Sequence, residues 1–479
     1  MSAGQSTMAE ETRRSLRERL GDAVSTGTAD RVAYAHDASP IALRQAAAGE
    51  LPHLPAAVVW PETPAQVAAI LRWAQATRTP VIPYGGGSGI VGGALPVPGG
   101  VVVDLKRLNR IREIDETSLV ATVETGINGQ ILEDRLLARG YTLGHLPQSI
   151  RASTLGGWIA HRAAGVASTR YGKIEDIVEA LEVVLPTGEV LTTRSVPRSS
   201  TGPDLDQLFL GSEGAYGIVT AATLAIHHAP EAREFQAYAL PGFDTALDAI
   251  RRVIQRELRP AIVRLYDAEE AKPHLGGLGL PEGAVMLLWG SEGPRELVDF
   301  ELKGIRHICE GEEVVDLGSG PGERWWNHRL STAALLNTLN TPASVSDALE
   351  VTGSWSQLGA IYRAMKADML AAAGTRGRVY GHVSHIYQTG ANLYMIFHAT
   401  AASEDEVPAL YDRILDAAFT ACLDRGGSLS HHHGVGSTKA RWLPIEHGET
   451  GMRVLRDVQA VLDPAGIMNP GVGFHGNGR

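Results

Sequence analysis

Pro83-Tyr84-Gly85-Gly86-Gly87-Ser88-Gly89-Ile90-Val91-Gly92-Gly93-Ala94 is the stretch on which the fold turns. Seven of the nine residues from Gly85 to Gly93 are glycine or serine, which is long for a plain turn. Gly87-x-Gly89-x-x-Gly92 formally matches the dinucleotide fingerprint, but that fingerprint needs a helix directly behind it, so that the helix N-terminus faces the pyrophosphate. Behind it here stand Ala94-Leu95-Pro96-Val97-Pro98-Gly99-Gly100, whose two prolines and two glycines forbid a helix, and then an apolar run, Val101–Leu105, that reads as a strand. The Lys-Ser/Thr of a nucleotide P-loop is also missing. What remains is strand, loop, strand, with bare backbone N–H groups turned toward an anion. Consecutive glycines let the chain approach a pyrophosphate closely and adopt positive φ.

Working outward, Ala57–Trp60 reads as a strand, and Thr63-Pro64-Ala65-Gln66 as a capping box that opens a helix with Val67, Ile70, Leu71 and Ala74 at helical spacing. Pro80–Pro83, Val101–Leu105 and Leu119–Glu124 read as strands and Asn128–Arg139 as a helix. Glu182–Leu185 and Glu189–Thr192 around Pro186-Thr187-Gly188 give a hairpin signal, and the strand Ile218–Ile226 follows Gly211-Ser212-Glu213-Gly214. Past residue 229 come helices at Gly242–Glu257 and Trp355–Ala373, strands at Ala261–Tyr266 and Val285–Ser291, and a strand pair within His382–His398. The predicted class is α+β: an N-terminal arm (1–50, with a short amphipathic helix near 9–21), a first domain (51–228, in subdomains 51–125 and 126–228), a second domain with an antiparallel sheet flanked by helices (229–425), and a C-terminal segment (426–479) that returns to the first domain's site.

Bulk properties exclude several classes. The 479 residues are too many for one ordinary core. The net charge of −11, from 43 basic and 54 acidic residues, argues against nucleic-acid binding. No apolar run is long enough for an integral membrane span, and no signal peptide or peroxisomal tail is evident, so a cytoplasmic protein is expected. Cys309 and Cys422 lie far apart and read as buried thiols.

Four segments together resemble the FAD-binding fold of the vanillyl-alcohol-oxidase superfamily (the PCMH type): residues 83–94, Pro147-Gln-Ser-Ile-Arg-Ala-Ser-Thr-Leu-Gly-Gly-Trp158, Gly211-Ser-Glu-Gly-Ala-Tyr-Gly-Ile-Val219 and Asp463-Pro-Ala-Gly-Ile-Met-Asn-Pro470. Within it the chain is similar to the alkyldihydroxyacetonephosphate synthase and FAD-linked oxidase families, through residues 154–165, Tyr171-Gly-Lys-Ile-Glu-Asp176, His385-Ile-Tyr-Gln-Thr-Gly-Ala-Asn-Leu-Tyr394 and Gly426-Gly-Ser-Leu-Ser-His-His-His-Gly-Val-Gly436. The resemblance implies non-covalent FAD. It implies cofactor contacts from Tyr84, Gly85, Gly86, Gly87, Ser88, Gly89 and Ile90; from Gln148, Ser149, Ser153, Thr154 and Gly157; from Ala160, His161, Arg162 and Ala163; and from Gly211, Glu213, Gly214, Ala215 and Ile218. It places the active-site tyrosine on Tyr387, the essential histidines on His431, His432 and His433, and a substrate-holding arginine on Arg264. Arg378, Lys439 and Arg441 are weaker candidates for an anion clamp.

The departures bear on the substrate. The synthase family grips a substrate phosphate with an arginine that this chain lacks at Ala334-Leu335-Leu336-Asn337-Thr338, a loss of about 1.5–3 kcal/mol of charge-assisted hydrogen bonding. Related 2-hydroxy-acid dehydrogenases bind a divalent metal through two histidines and a glutamate; the second histidine aligns with Tyr394 and the glutamate with His432, so no metal is expected. In an extended chain His431 and His433 would share a face, with His432 pointing away. A tyrosine serves as a base only if cations lower its pKa, a role the adjacent histidines are expected to fill. Two functions follow: an FAD-dependent oxidoreductase acting on a small alcohol or 2-hydroxy acid, or an ether-forming transferase in which the flavin undergoes no net redox change. The partner is a small molecule, and a homodimer is compatible with the sequence.

Overall fold

The computed structural model describes residues 14–474 except 19, 276–281, 312 and 332–340. The expected helix near 9–21 and the arginine-free stretch 334–338 lie wholly or partly outside these residues.

Three sheets carry the fold. Val24–Ser25 (β1), Ala57–Val59 (β2), Val81–Tyr84 (β3) and Val101–Asp104 (β4) form a four-stranded sheet in the order β1-β2-β4-β3. The β2–β4 and β3–β4 pairs are parallel, and the helix Pro64–Thr77 connects β2 to β3. Its N-cap is Thr63, whose hydroxyl accepts from the Gln66 N–H at 3.2 Å, and its apolar stripe (Val67, Ile70, Leu71, Ala74) is buried against the sheet.

Ile111–Asp115 (β5) and Val120–Glu124 (β6) follow, then the short Tyr141–Thr142 (β7), Val178–Val184 (β8), Val190–Thr192 (β9), Ile218–Ala225 (β10) and His227–His228 (β11). The second sheet runs β5-β6-β10-β8-β9, and β7 pairs with β11 alone. This differs from the subdomain boundary expected at 125: β6 pairs with β10, not with the first sheet. Leucine and valine alternation fixes the strands of a sheet but not their neighbours, and long-range pairing settled the membership.

The third sheet is antiparallel and seven-stranded. Ala232–Leu240 (β12), Ile262–Tyr266 (β13), Val285–Gly293 (β14), Val315–Gly318 (β15), Ser344–Ser354 (β16), Arg378–Ile386 (β17) and Gly390–Thr400 (β18) take the order β15-β12-β14-β13-β17-β18-β16. Its two faces differ in kind. Val263, Leu265, Val383, Leu393 and Val351 point into one core with the helices Phe243–Ile254, Trp355–Ala373 and Val407–Leu423. The alternate positions are polar: Tyr266, His382, Tyr394 and Glu350 are direct cross-strand partners in one row over β13, β17, β18 and β16. Period-two alternation thus puts the apolar set under the helices and leaves a polar face for the site.

Candidate active site

The glycine loop leaves β3 at Tyr84, and it is shaped by what surrounds it. A Cβ on Gly86 would stand 1.9 Å from the Ala152 carbonyl oxygen, and one on Gly85 would stand 2.2 Å from the Thr154 hydroxyl. A Cβ on Gly93 would lie 2.9 Å from His161 Nε2, and one on Gly434 would lie 2.2 Å from Glu213 Oε1. The loops at 84–93, 148–154, 157–163, 211–215 and 431–436 therefore meet at one place. At Gly89 a Cβ would meet nothing within 4 Å. Among the described residues, the N–H groups of residues 85–90 have no protein acceptor.

The supporting contacts explain several candidate residues. Thr154 caps the helix Leu155–His161 by accepting from the Gly157 N–H, and Trp158 Nε1 donates to the Ser153 hydroxyl at 2.8 Å. His161 Nδ1 lies 2.9 Å from the Gly157 carbonyl. A carbonyl only accepts, so Nδ1 carries a proton; Nε2 is buried and without a protein partner. Glu213, at φ +50°, accepts from the Val435 N–H at 2.5 Å and the Gly436 N–H at 2.9 Å. Asn469 donates to the carbonyls of Gly93 and Glu213 at 2.9 and 2.7 Å. Ile218 is buried in the core with Val184 and Met468. Free N–H groups over an open glycine, beside an unpaired imidazole nitrogen, suit the diphosphate and polar ring edge of the expected FAD.

The histidine motif departs from strand geometry. Glu350, fully buried on β16, accepts from the backbone N–H groups of His431, His432 and His433, the last two at 3.3 and 3.0 Å. It also accepts from the Ser430 hydroxyl at 2.6 Å and pairs with buried Lys439 at 3.2 Å. The chain bends around this carboxylate, so the three rings converge instead of alternating: His431 Nδ1 meets His432 Nδ1 at 2.8 Å, and the His432 and His433 ring centroids are 4.5 Å apart. Burial opposes the Glu350 charge, but Lys439, His433 and the Ser430 hydroxyl outweigh it and draw the carboxyl down to about 2.

Two tyrosines end this cluster. Tyr387 Oη is 2.7 Å from His431 Nε2, and Tyr394 Oη is 2.6 Å from His432 Nε2. The two positions that hold metal ligands in the hydroxy-acid dehydrogenases here bond to each other. The expectation that histidines lower the Tyr387 pKa is corrected. Burial, with Glu175 and Asp176 adding, pushes Tyr387 up. Burial and the Lys173 ammonium hold His431 down at about 3, and burial holds His433 at about 4. The histidines are neutral and the tyrosine keeps its proton.

Arg264, on β13, is buried beside this group. It donates from Nε to Tyr266 Oη at 3.0 Å, and Nη2 lies 2.9 Å from His382 Nε2. Arginine only donates, so His382 Nε2 accepts and Nδ1 donates to Glu270 at 3.0 Å. The other clamp candidates do not reach the site as free cations. Lys439 is spent on Glu350, Arg441 pairs with Asp416 at 3.1 Å, and Arg378 lies at the exposed end of β17. Two residues were missed by sequence reasoning: Glu350 and Lys173, whose ammonium donates to the His431 carbonyl at 2.6 Å. His385 sits at a bulge with φ +53° and its Nδ1 lies 2.7 Å from the Ser168 hydroxyl. Lys173 stood in a quoted motif, and its burial was the signal that a sequence does not display. Tyr387 also lines a surface cavity of about 540 Å³ with Thr352, Thr389, Leu423 and Ile445.

Comparison with known proteins converges on the same assignment. Residues 55–194 match the model of the FAD binding domain, and residues 229–472 match the C-terminal domain of FAD linked oxidases. The chain is 31% identical to the alkyldihydroxyacetonephosphate synthase of Dictyostelium discoideum over 451 residues, covering 88% of this chain and 74% of that protein. It is 28% identical to the glycolate oxidase subunit GlcD of Bacillus subtilis, covering 94% of each. A solved structure of an alkyldihydroxyacetonephosphate synthase superposes with a TM-score of 0.80 at 27% identity, over 98% of this chain and 86% of that one.

Proposed function

Because the chain belongs to the FAD-linked oxidases and is an FAD enzyme, we propose that it oxidises a small alcohol or 2-hydroxy acid, with FAD held non-covalently across the glycine loop. The observation that carries this reading is one arrangement: a buried arginine with unspent donors shares a sheet face with a neutral tyrosine–histidine chain. When bound, FAD supplies the two-electron acceptor, and its reoxidation calls on an external oxidant. Arg264 holds the substrate's carboxylate or oxygen and orients the reacting carbon. Tyr387 takes up the hydroxyl proton while passing its own to His431 Nε2, which leaves the positive charge on an imidazole beside the Glu350 carboxylate. Backbone N–H groups of residues 85–90, with Thr154, His161 and the turn at Gly211–Ala215, hold the cofactor.

The test is Tyr387→Phe beside His432→Ala. Turnover is expected to fall at least a hundredfold while the purified protein stays yellow and keeps its full flavin content. Loss of flavin instead of activity would make these residues cofactor supports and overturn their proton role.

A second reading, ether-forming transfer, is favoured by the similarity to the synthases. It requires release of a fatty acid from acyl-dihydroxyacetone phosphate as a fatty alcohol is incorporated.

A further inference from the structure

We propose that Tyr394 is a positioning residue that fixes the proton order along the chain Tyr387–His431–His432–Tyr394, and through it whether the Tyr387 hydroxyl accepts or donates toward the substrate. The inference rests on the proposed proton role of Tyr387. The chain is continuous, at 2.7, 2.8 and 2.6 Å. A neutral imidazole has one N–H and one lone pair, and the central contact joins Nδ1 to Nδ1, so it holds a single proton. Only two orders satisfy all three bonds. In the first, Tyr387 donates to His431 Nε2, His431 Nδ1–H donates to His432, and His432 Nε2–H donates to Tyr394; the lone pairs of Tyr387 then face the substrate. In the second every bond is reversed, and the Tyr387 proton faces the substrate. The two histidines are thus always of opposite tautomer.

Tyr394 is fixed more firmly than the rest of the chain. Its cross-strand neighbours are His382 and Glu350. Its ring stacks on His382 with centroids 4.5 Å apart, and His382 is in turn bonded to Arg264. The far end of the chain is therefore linked through His382 to Arg264, the group that would hold the substrate anion, which couples substrate position to proton order. Burial keeps His431 and His432 neutral and keeps Tyr394 protonated, which both orders require.

Tyr394→Phe keeps the ring and its stack but removes the hydroxyl. The experiment is ¹⁵N NMR of the holoenzyme labelled at histidine, read together with turnover. In the wild type, His431 and His432 are expected to show opposite tautomers. In Tyr394→Phe, His432 should become a tautomer mixture, and kcat should fall at least tenfold with KM and flavin content unchanged. Equal tautomers in the wild type, or unaltered histidine signals in Tyr394→Phe, would overturn the proposal even if Tyr387→Phe is inactive. Opposite tautomers with a fully active Tyr387→Phe would instead sink the proton role of Tyr387 and leave the chain's order standing.

Discussion

Tyr387 and its histidines show how far a residue's chemistry is set by burial. The sequence placed a tyrosine and three histidines together, and the natural inference was a phenol made acidic by imidazolium neighbours. Burial reverses it: desolvation penalises charge on every member of the group, so phenol and imidazoles all stay neutral. A pH profile of flavin reduction follows from this. With His431 at about 3 and His433 at about 4, no group of the chain titrates between about pH 5 and 9, where a free imidazole would at about 6.5. The rate is expected to be flat across that window; a step near neutral pH would show that a cluster histidine titrates. Stability behaves differently. The unfolded chain takes up histidine protons below about pH 6.5 that the fold refuses. Stability is therefore lost as pH falls from there toward 3, and the melting temperature should drop over the same range. What the sequence hid at this scale was burial itself: nothing in Tyr171-Gly172-Lys173 announces that the ammonium lies under His431.

At the scale of elements, the helix Pro64–Thr77 was legible because Thr63 and Gln66 open it as a capping box, and the glycine loop was legible because prolines behind it leave only a strand. The strand Ser344–Ser354, which supplies Glu350, was not. Its alternation is interrupted at Asp347, which stands on the helix-covered face with Val345, Leu349 and Val351 and accepts from the Tyr411 hydroxyl at 2.7 Å, and its partner strand β18 lies beyond a helix and β17 in sequence. The glycine loop makes a prediction of its own. Gly86→Ala forces a Cβ onto the Ala152 carbonyl, so the loop must shift, at a cost of about 1–3 kcal/mol, and both stability and flavin content should fall. Gly89→Ala meets no protein atom. It should fold with an unchanged melting temperature as apoprotein and bind FAD about tenfold more weakly, ~1.4 kcal/mol. Equal FAD affinity in Gly89→Ala and wild type, by flavin fluorescence titration, would move the diphosphate off this part of the loop.

Across the whole molecule, the C-terminal segment ties the pieces together. Val81 N–H donates to the Ile467 carbonyl and Asn469 N–H to the Val81 carbonyl, both at 2.8 Å, so the last segment adds to the edge of the first sheet. From there Asn469 bridges the glycine loop and the Glu213 turn. Asn469→Ala leaves two buried carbonyls unsatisfied and should cost about 1–3 kcal/mol each, read as a lower melting temperature together with faster loss of flavin on dilution. A variant that loses neither would detach the C-terminal segment from the cofactor site. Order along the chain made the four cofactor segments readable, but not which sheet each strand joins: β6 went to the second sheet because pairing across long sequence separations depends on packing that local pattern does not encode. The account's central claim is that this assembly oxidises its substrate through bound FAD. Its most direct test is the anaerobic absorption spectrum of the purified holoprotein, titrated with alcohols, 2-hydroxy acids and acyl-dihydroxyacetone phosphate in turn. The account predicts that an alcohol or hydroxy acid bleaches the long-wavelength flavin band and that the band returns when an oxidant is admitted. A flavin left oxidised by every alcohol and hydroxy acid, with fatty acid released from acyl-dihydroxyacetone phosphate, would contradict it.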